Sequence, residues 1–124
     1  MAAVVPFDVT GKDKVQVRLE NQGAASATVP MDVVSTSPDI FTQDGAPTGV
    51  GLIHNADYQL NSEDNPAAEG SQHMIFWTGG GQPDPGGLDG RIEFMPLSRL
   101  NAPVAVSIGG QAADLVLAGG SPYA

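Results

Sequence analysis

Apolar and polar residues alternate over several short stretches of the chain, and each such stretch predicts a β-strand. Residues 14–20 read KVQVRLE, in which the side chains alternate with the period of two that a half-buried strand shows. The following NQG at residues 21–23 predicts a turn. A second strand is expected over residues 26–36, with Pro30 at an edge or a bulge because it lacks an N–H.

The rest of the chain repeats this pattern of short strands and tight turns. Residues 49–55 and 58–61 predict the two arms of a hairpin around Asn55-Ala56-Asp57. Residues 72–78, QHMIFWT, are apolar on both faces, as in a strand covered on both sides. Residues 103–119 predict two strands joined at Gly109-Gly110-Gln111, and one helical turn is expected from Asn65 to Gly70.

About eight short strands with Gly/Pro turns and no other helical period predict an all-β, antiparallel sandwich. The apolar positions of the strands define its predicted core: Val15, Val17, Leu19, Phe41, Ile53, Phe76, Val106, Ile108 and Leu115. With 124 residues the chain has the length of one domain.

The charge and cysteine content narrow the function classes. Five basic against fourteen acidic residues give a net charge of −9, which disfavours nucleic acid and anionic lipid because both attract clustered Lys and Arg. No apolar run approaches the ~20 residues of a membrane-spanning helix. There are no cysteines for disulfides or thiolate metal sites. The start, MAAVVPFDV, has no basic leader, so no signal peptide is expected in this chain.

The glycine-rich stretch TGGGQPDPGG, residues 78–87, invites comparison with phosphate-binding loops. A dinucleotide fingerprint needs a third glycine and a following helix. Here Asp84 occupies the glycine position, and Pro83 and Pro85 oppose a helix. The stretch therefore predicts a tight corner and no bound nucleotide.

Candidate metal sites are few. His54 and His73 lie on different strands without further ligands at short spacing. The acidic residues Asp57, Glu63 and Asp64 crowd one loop and are the calcium candidates, although their spacing does not match a calcium-binding loop motif. A solvated acidic loop is favoured, and no cofactor is expected.

Catalytic motifs are equally sparse. No G-x-S-x-G elbow is present for a serine nucleophile, and no pair of carboxylates stands out. We therefore expect no enzymatic activity. Tyr58, Trp77 and Tyr123 are candidates for stacking on a sugar ring, but a buried core role is favoured for Trp77.

Several unusual turns nevertheless recur in a recognisable order. The stretches SPDIFTQDG, NADYQLNSEDNPAAEGSQHMIFWTGGGQPDPGGLDGRI and APVAVSIGGQAADLVLAGGSP resemble the Solibacter C-terminal domain family, a repeated β-domain of large secreted bacterial proteins. The match covers about residues 29–122. Departures are Ala56-Asp57-Tyr58 in place of an Asp-Gly turn, and the more apolar RIEFMPLSRL.

The resemblance implies an immunoglobulin-like β-sandwich without known catalytic residues, located outside the cell or at its surface. It also implies a division of the single domain 1–124. Residues 1–30 resemble the closing strands of one repeat, and residues 31–124 the opening strands of the next. The segment from Ala2 to Val9 resembles the strand that is expected after Tyr123-Ala124.

This division predicts that Val4, Val5, Phe7 and Val9 form a self-association segment. The segment would complete the sheet either within its own chain or in a neighbouring chain, and the sequence leaves both arrangements open.

Three functions follow as expectations. The leading one is a non-enzymatic extracellular module with a structural or adhesive role. The alternative is a self-assembling subunit of a filament or polymer built by β-strand exchange. A carbohydrate-binding module is the weaker alternative. The expected partners are other protein chains, the same chain included.

Overall fold

The computed structural model describes residues 3–121, and these form a β-rich chain with almost no helix. A 3₁₀ turn covers Phe7–Val9. The strands of the described residues are β1 Lys14–Val17, β2 Glu20–Asn21, β3 Ala24–Ala25, β4 Val29–Asp32, β5 Asp39–Ile40, β6 Ile53–His54, β7 Met74–Ile75, β8 Trp77–Thr78, β9 Pro83–Asp84, β10 Arg99–Leu100, β11 Val106–Ile108 and β12 Gln111–Ala113.

The contacts divide the chain into two units. Unit 1 comprises residues 1–36 and 81–124, and unit 2 comprises residues 37–80. Within the described residues, unit 1 contains the antiparallel pairs β1–β4, β2–β3, β9–β10 and β11–β12, and unit 2 contains β5–β8 and β6–β7. The all-β prediction is confirmed at this level. Each ladder has two strands, so the sandwich itself stays a prediction.

The longest regular feature is a hairpin that we call the β-arm, residues 13–33. Lys14 pairs with Asp32 and Val17 with Val29, and the tip is closed by the β2–β3 pair. Gln22 and Gly23 at the tip have φ values of 50° and 81°. Two consecutive positive φ angles make a type I′ turn, whose twist matches that of the strands. The turn predicted from NQG is confirmed.

A β-bulge interrupts the β-arm. Val17 pairs with Val29, and the Ser26 N–H donates to the Leu19 carbonyl at 2.9 Å. Two steps along the first strand are therefore matched by three along the second, which is the definition of a bulge. Pro30 lies opposite Gln16 in this two-stranded ladder, so its predicted edge position is confirmed.

The apolar run of unit 2 is divided between two partners. β7 pairs with β6, and β8 pairs with β5. Phe76 lies between them and donates its N–H to the Leu52 carbonyl at 3.1 Å, while its own carbonyl accepts from the Phe41 N–H at 3.0 Å. The predicted single strand covered on both sides is thus wrong, because the chain changes partner at Phe76 and remains only half-buried there.

Of the other local predictions, two are confirmed and one is wrong. The hairpin after Ile53 is confirmed by the bridge between His54 and Leu60, and the turn at Gly109-Gly110 by the pairing of Ile108 with Gln111. The helical turn after Asn65 is wrong, since residues 65–70 contain no helix.

The predicted core is also wrong for the described chain on its own. Within residues 3–121, Pro83 is the only apolar residue that is buried, and it is not one of the predicted core residues. Five of the nine predicted core residues are exposed, namely Val17, Leu19, Phe41, Ile108 and Leu115. The other four are half-buried. A two-stranded ladder has one apolar face, and burial needs a second layer on that face.

The β-arm turn gives the first testable prediction. Gly23→Ala forces a Cβ into the left-handed region and should cost roughly 1–2 kcal/mol of unfolding free energy. Gly86→Ala is the matched control, because neither glycine has an atom within 4 Å of the added Cβ and Gly86 lacks a positive φ of this kind. Urea denaturation followed by far-UV circular dichroism measures both. Equal effects of the two substitutions would contradict the turn assignment.

Candidate interaction surfaces

The β-arm has one apolar face. Directly paired residues of antiparallel strands lie on the same face, so the pairs Val15–Met31 and Val17–Val29 share it. Val17 is 40%, Val29 56% and Met31 54% exposed. Leu19 continues the same alternation and is also exposed. These five side chains, which we call the arm face, contain no polar atom except the Met31 sulfur.

The opposite face of the β-arm is polar. It carries Gln16 and an ion pair between the Lys14 ammonium and the Asp32 carboxylate, both exposed. Such an exposed pair contributes little to stability. The β-arm therefore presents an uncharged face and a charged face on opposite sides of a single ladder.

Unit 1 also contains an open groove. It has a volume of about 180 Å³ and is lined partly by Leu100, Val104, Leu115 and Leu117. The backbone groups of residues 115–117 bond to no other backbone group of residues 3–121. The groove thus offers open backbone hydrogen-bonding groups beside apolar side chains.

The predicted self-association segment has an exposed first part and a second part that forms a turn. Val4 is 94% and Val5 70% exposed, whereas Phe7–Val9 forms the 3₁₀ turn in place of the expected strand. The Thr10 hydroxyl donates to the Phe7 carbonyl at 2.6 Å, and this local bond competes with strand pairing. Ala2 lies outside the described residues.

Phe7 ties this turn to a loop of unit 1. Its N–H donates to the Asp89 carboxylate at 2.6 Å, and its ring lies where a Cβ of Gly87 would otherwise be. Thr10 accepts a hydrogen bond from the Gln82 side chain. The segment free to meet a partner is therefore residues 3–5.

The buried polar centre of unit 2 is Asn55, which is 7% exposed. Its Nδ2 donates to the Asn65 carbonyl at 2.8 Å, and its Oδ1 accepts from Asn61 Nδ2 at 2.9 Å. Its N–H and carbonyl also close the hairpin, bonding Gln59 and Tyr58. Buried amides require such partners. Asn55 is therefore the hydrogen-bonding centre of residues 54–65, and we call this arrangement the Asn55 clip. The sequence analysis did not identify it, although Asn recurs at positions 55, 61 and 65.

The acidic residues on this loop remain at its surface. Asp57, Glu63 and Asp64 are exposed, and the Asp57 carboxylate accepts the Gln59 N–H at 3.0 Å. Within residues 3–121, no group of three or more His, Cys, Asp or Glu side chains is placed to hold a metal ion. The structure therefore does not bring the three calcium candidates together as a site.

The glycan candidates are placed differently from one another. Tyr58 is exposed on the Asn55 loop at a φ of 64°. Trp77 is half-buried in β8, where it pairs with Ile40. Tyr123 lies outside the described residues. Trp77 is thus neither the buried core residue that was expected nor a freely exposed platform.

The glycine-rich corner and the two histidines have local roles. A Cβ on Gly79 would overlap the Ser37 carbonyl, so close backbone approach requires glycine there. The Ser37 N–H donates to the Gly79 carbonyl at 2.8 Å. The His54 ring packs edge-on against Phe76 with the centroids 5.2 Å apart, and His73 Nε2 lies 3.4 Å from the Ser71 hydroxyl.

The total exposed surface is large for the mass. The chain of 12.7 kDa exposes 10032 Å². Two separate compact units with the lengths of unit 1 and unit 2 would together expose roughly 7500 Å². The surplus of roughly 2500 Å² exceeds the ~1600 Å² that a standard protein interface buries in total.

Comparisons with known proteins give no independent identification: no family model, no curated protein and no solved structure matches this chain. Among residues 3–121 there is no helix long and apolar enough to cross a membrane.

The Asn55 clip gives a second testable prediction. Asn55→Ala removes two side-chain hydrogen bonds of a buried residue and leaves the half-buried Asn61 amide without its acceptor. It should cost roughly 1–3 kcal/mol of unfolding free energy. Gln43→Ala, in the same unit, removes an exposed amide that bonds the Gly51 carbonyl at 3.3 Å. It should cost less than about 0.5 kcal/mol. Urea midpoints of the two variants provide the measurement, and a mild Asn55 effect would contradict the assigned role.

Proposed function

We propose that the chain is a non-enzymatic structural or adhesive module of an extracellular protein, and that another protein surface covers its apolar strand faces. This proposal rests on two observations: the ladders have two strands each, and Pro83 is the only apolar residue buried within residues 3–121. A hairpin of two strands is marginal in water. Such faces gain stability when a partner supplies the missing layer.

The family resemblance supports the extracellular and immunoglobulin-like parts of the proposal. In a sandwich of that kind, two sheets pack face to face at about 10 Å. The arm face is suited to one such layer because its apolar side chains all project to one side. The negative charge of −9 keeps the remaining surface soluble and away from nucleic acid.

An unfolding experiment tests this proposal. The urea m-value scales with the surface newly exposed on unfolding. At low protein concentration, the m-value should be roughly a quarter smaller than that of two compact units of the same lengths. Far-UV circular dichroism with apolar dye fluorescence provides the measurement. A full-sized m-value without dye binding would show that the chain covers its own apolar faces, and would contradict the proposal.

Self-assembly by β-strand exchange is the second candidate, and a separate observation favours it. Val4 and Val5 are exposed, and Pro6 next to them has extended angles of −68° and 148°. Within residues 3–121 the backbone groups of residues 115–117 have no backbone partner, so the groove offers them to an added strand. A segment that enters the groove of a neighbouring chain generates a ring or filament when repeated head to tail.

A matched pair of variants tests strand exchange. Val5→Asp places a charge in the donor segment and should abolish assembly, because a buried unpaired carboxylate is strongly unfavourable. Leu88→Asp makes the same charge change at a similarly exposed aliphatic residue of unit 1 and should leave assembly intact. Neither substitution changes Phe7 or Asp89, whose hydrogen bond holds the 3₁₀ turn. Light scattering across concentration provides the measurement, and equal behaviour would exclude this route.

A further inference from the structure

We propose that the arm face is a self-association surface, on which the β-arm of a second copy packs face to face about a two-fold axis. This inference rests on the proposed function and names the partner. The arm face comprises Val15, Val17, Leu19, Val29 and Met31, defined by the observed register. No segment of residues 3–121 buries any of these side chains.

The chemistry of the face favours its own copy. A two-fold axis brings one patch onto the same patch of the partner. A patch with charges of one sign would then oppose itself, whereas an apolar patch is complementary to itself. The five side chains of the arm face are apolar, and the ion pair between Lys14 and Asp32 lies on the other side of the ladder.

The net charge of −9 strengthens the choice of this surface. Two copies repel each other through their acidic surfaces, and the repulsion is least where they meet over uncharged side chains. A cationic partner would instead select an acidic surface of the chain. Salt therefore distinguishes the two partners. Screening weakens the repulsion between copies and so strengthens self-association, whereas it weakens the attraction that would hold a cationic partner.

The geometry fits the packing of two β-layers. Aligned sheets pack about 10 Å apart with strand directions within about 30° of each other. The five residues from Val15 to Leu19 span roughly 17 Å along the strand. This strip is narrower than a complete interface of ~800 Å² per partner, so it forms the apolar centre and the β-arm edges form the polar rim. The association is accordingly weak and depends on concentration.

The experiment compares opposite faces of the same ladder. Met31→Lys inserts a charge into the arm face, and Gln16→Lys inserts the same charge on the polar face. Both reduce the negative charge equally, so repulsion between copies falls equally. Sedimentation velocity at about 10–500 µM, where weak dimers of this size class populate, follows the intact chain and both variants. Circular dichroism checks that each variant keeps its β-structure.

The intact chain should dimerise with rising concentration, and more tightly at 500 mM than at 50 mM NaCl. Met31→Lys should weaken the dimer at least tenfold, while Gln16→Lys should change it less than threefold. A chain that stays monomeric at every concentration, or equal dissociation constants for the two variants, would overturn the inference. So would a dimer that weakens as salt rises.

A cross-linking readout avoids any dependence on the stability of the lysine variants. The chain has no cysteine, so Val29→Cys introduces a single thiol on the arm face and Gln16→Cys a single thiol on the polar face. A short bismaleimide should join Val29→Cys into dimers and leave Gln16→Cys monomeric. The reverse pattern would overturn the inference. The urea m-value is measured separately at low concentration. A small m-value in a chain that forms no dimers would overturn this inference and leave the proposed function intact.

Discussion

Hydrophobic burial requires two apolar faces to meet, and the two-stranded β-arm supplies only one of them. In the β-arm, every residue of β1 has a partner in β4, yet Val17, Val29 and Met31 remain exposed. Backbone hydrogen bonds satisfy the polar groups of a strand, but they contribute little net free energy compared with apolar burial. The need for a second layer therefore governs the stability of the chain, the surfaces it offers and the function we propose.

Local polar chemistry shapes the chain where the apolar core is lacking. Asn55 holds its loop through four hydrogen bonds from one residue, and Phe7 is tied to Asp89 through its backbone N–H. These bonds connect residues that are close in space but separated by as many as 82 positions in the chain. They fix the course of the backbone without burying apolar surface, which leaves the strand faces available to a partner.

Charge and apolar surface are separated in this molecule. The acidic residues of the Asn55 loop stay in water, and the Lys14–Asp32 pair lies on the polar side of the β-arm. Long-range repulsion between acidic surfaces opposes unspecific aggregation, whereas short-range apolar contact operates only where charge is missing. Both the arm face and residues 3–5 satisfy this condition, so they are the two surfaces from which our self-assembly proposals arise.

The sequence by itself determined the strand type and the sharp turns, because alternation and positive-φ residues act over only a few positions. Gln22-Gly23 and Gly109-Gly110 are turns for this reason. It did not determine the register of the β-arm. A two-residue turn without a bulge would place Val15 opposite Pro30 and Val17 opposite Thr28, whereas the bulge before Val29 moves Met31 and Val29 onto the arm face. It also could not show that Phe76 changes partner between Phe41 and Leu52, or that Phe7 leaves the expected strand to meet Asp89. These outcomes depend on contacts between residues distant in the chain, and periodicity carries no information about such contacts. Only the tertiary structure decided which apolar residues share a face and which of those faces stay uncovered.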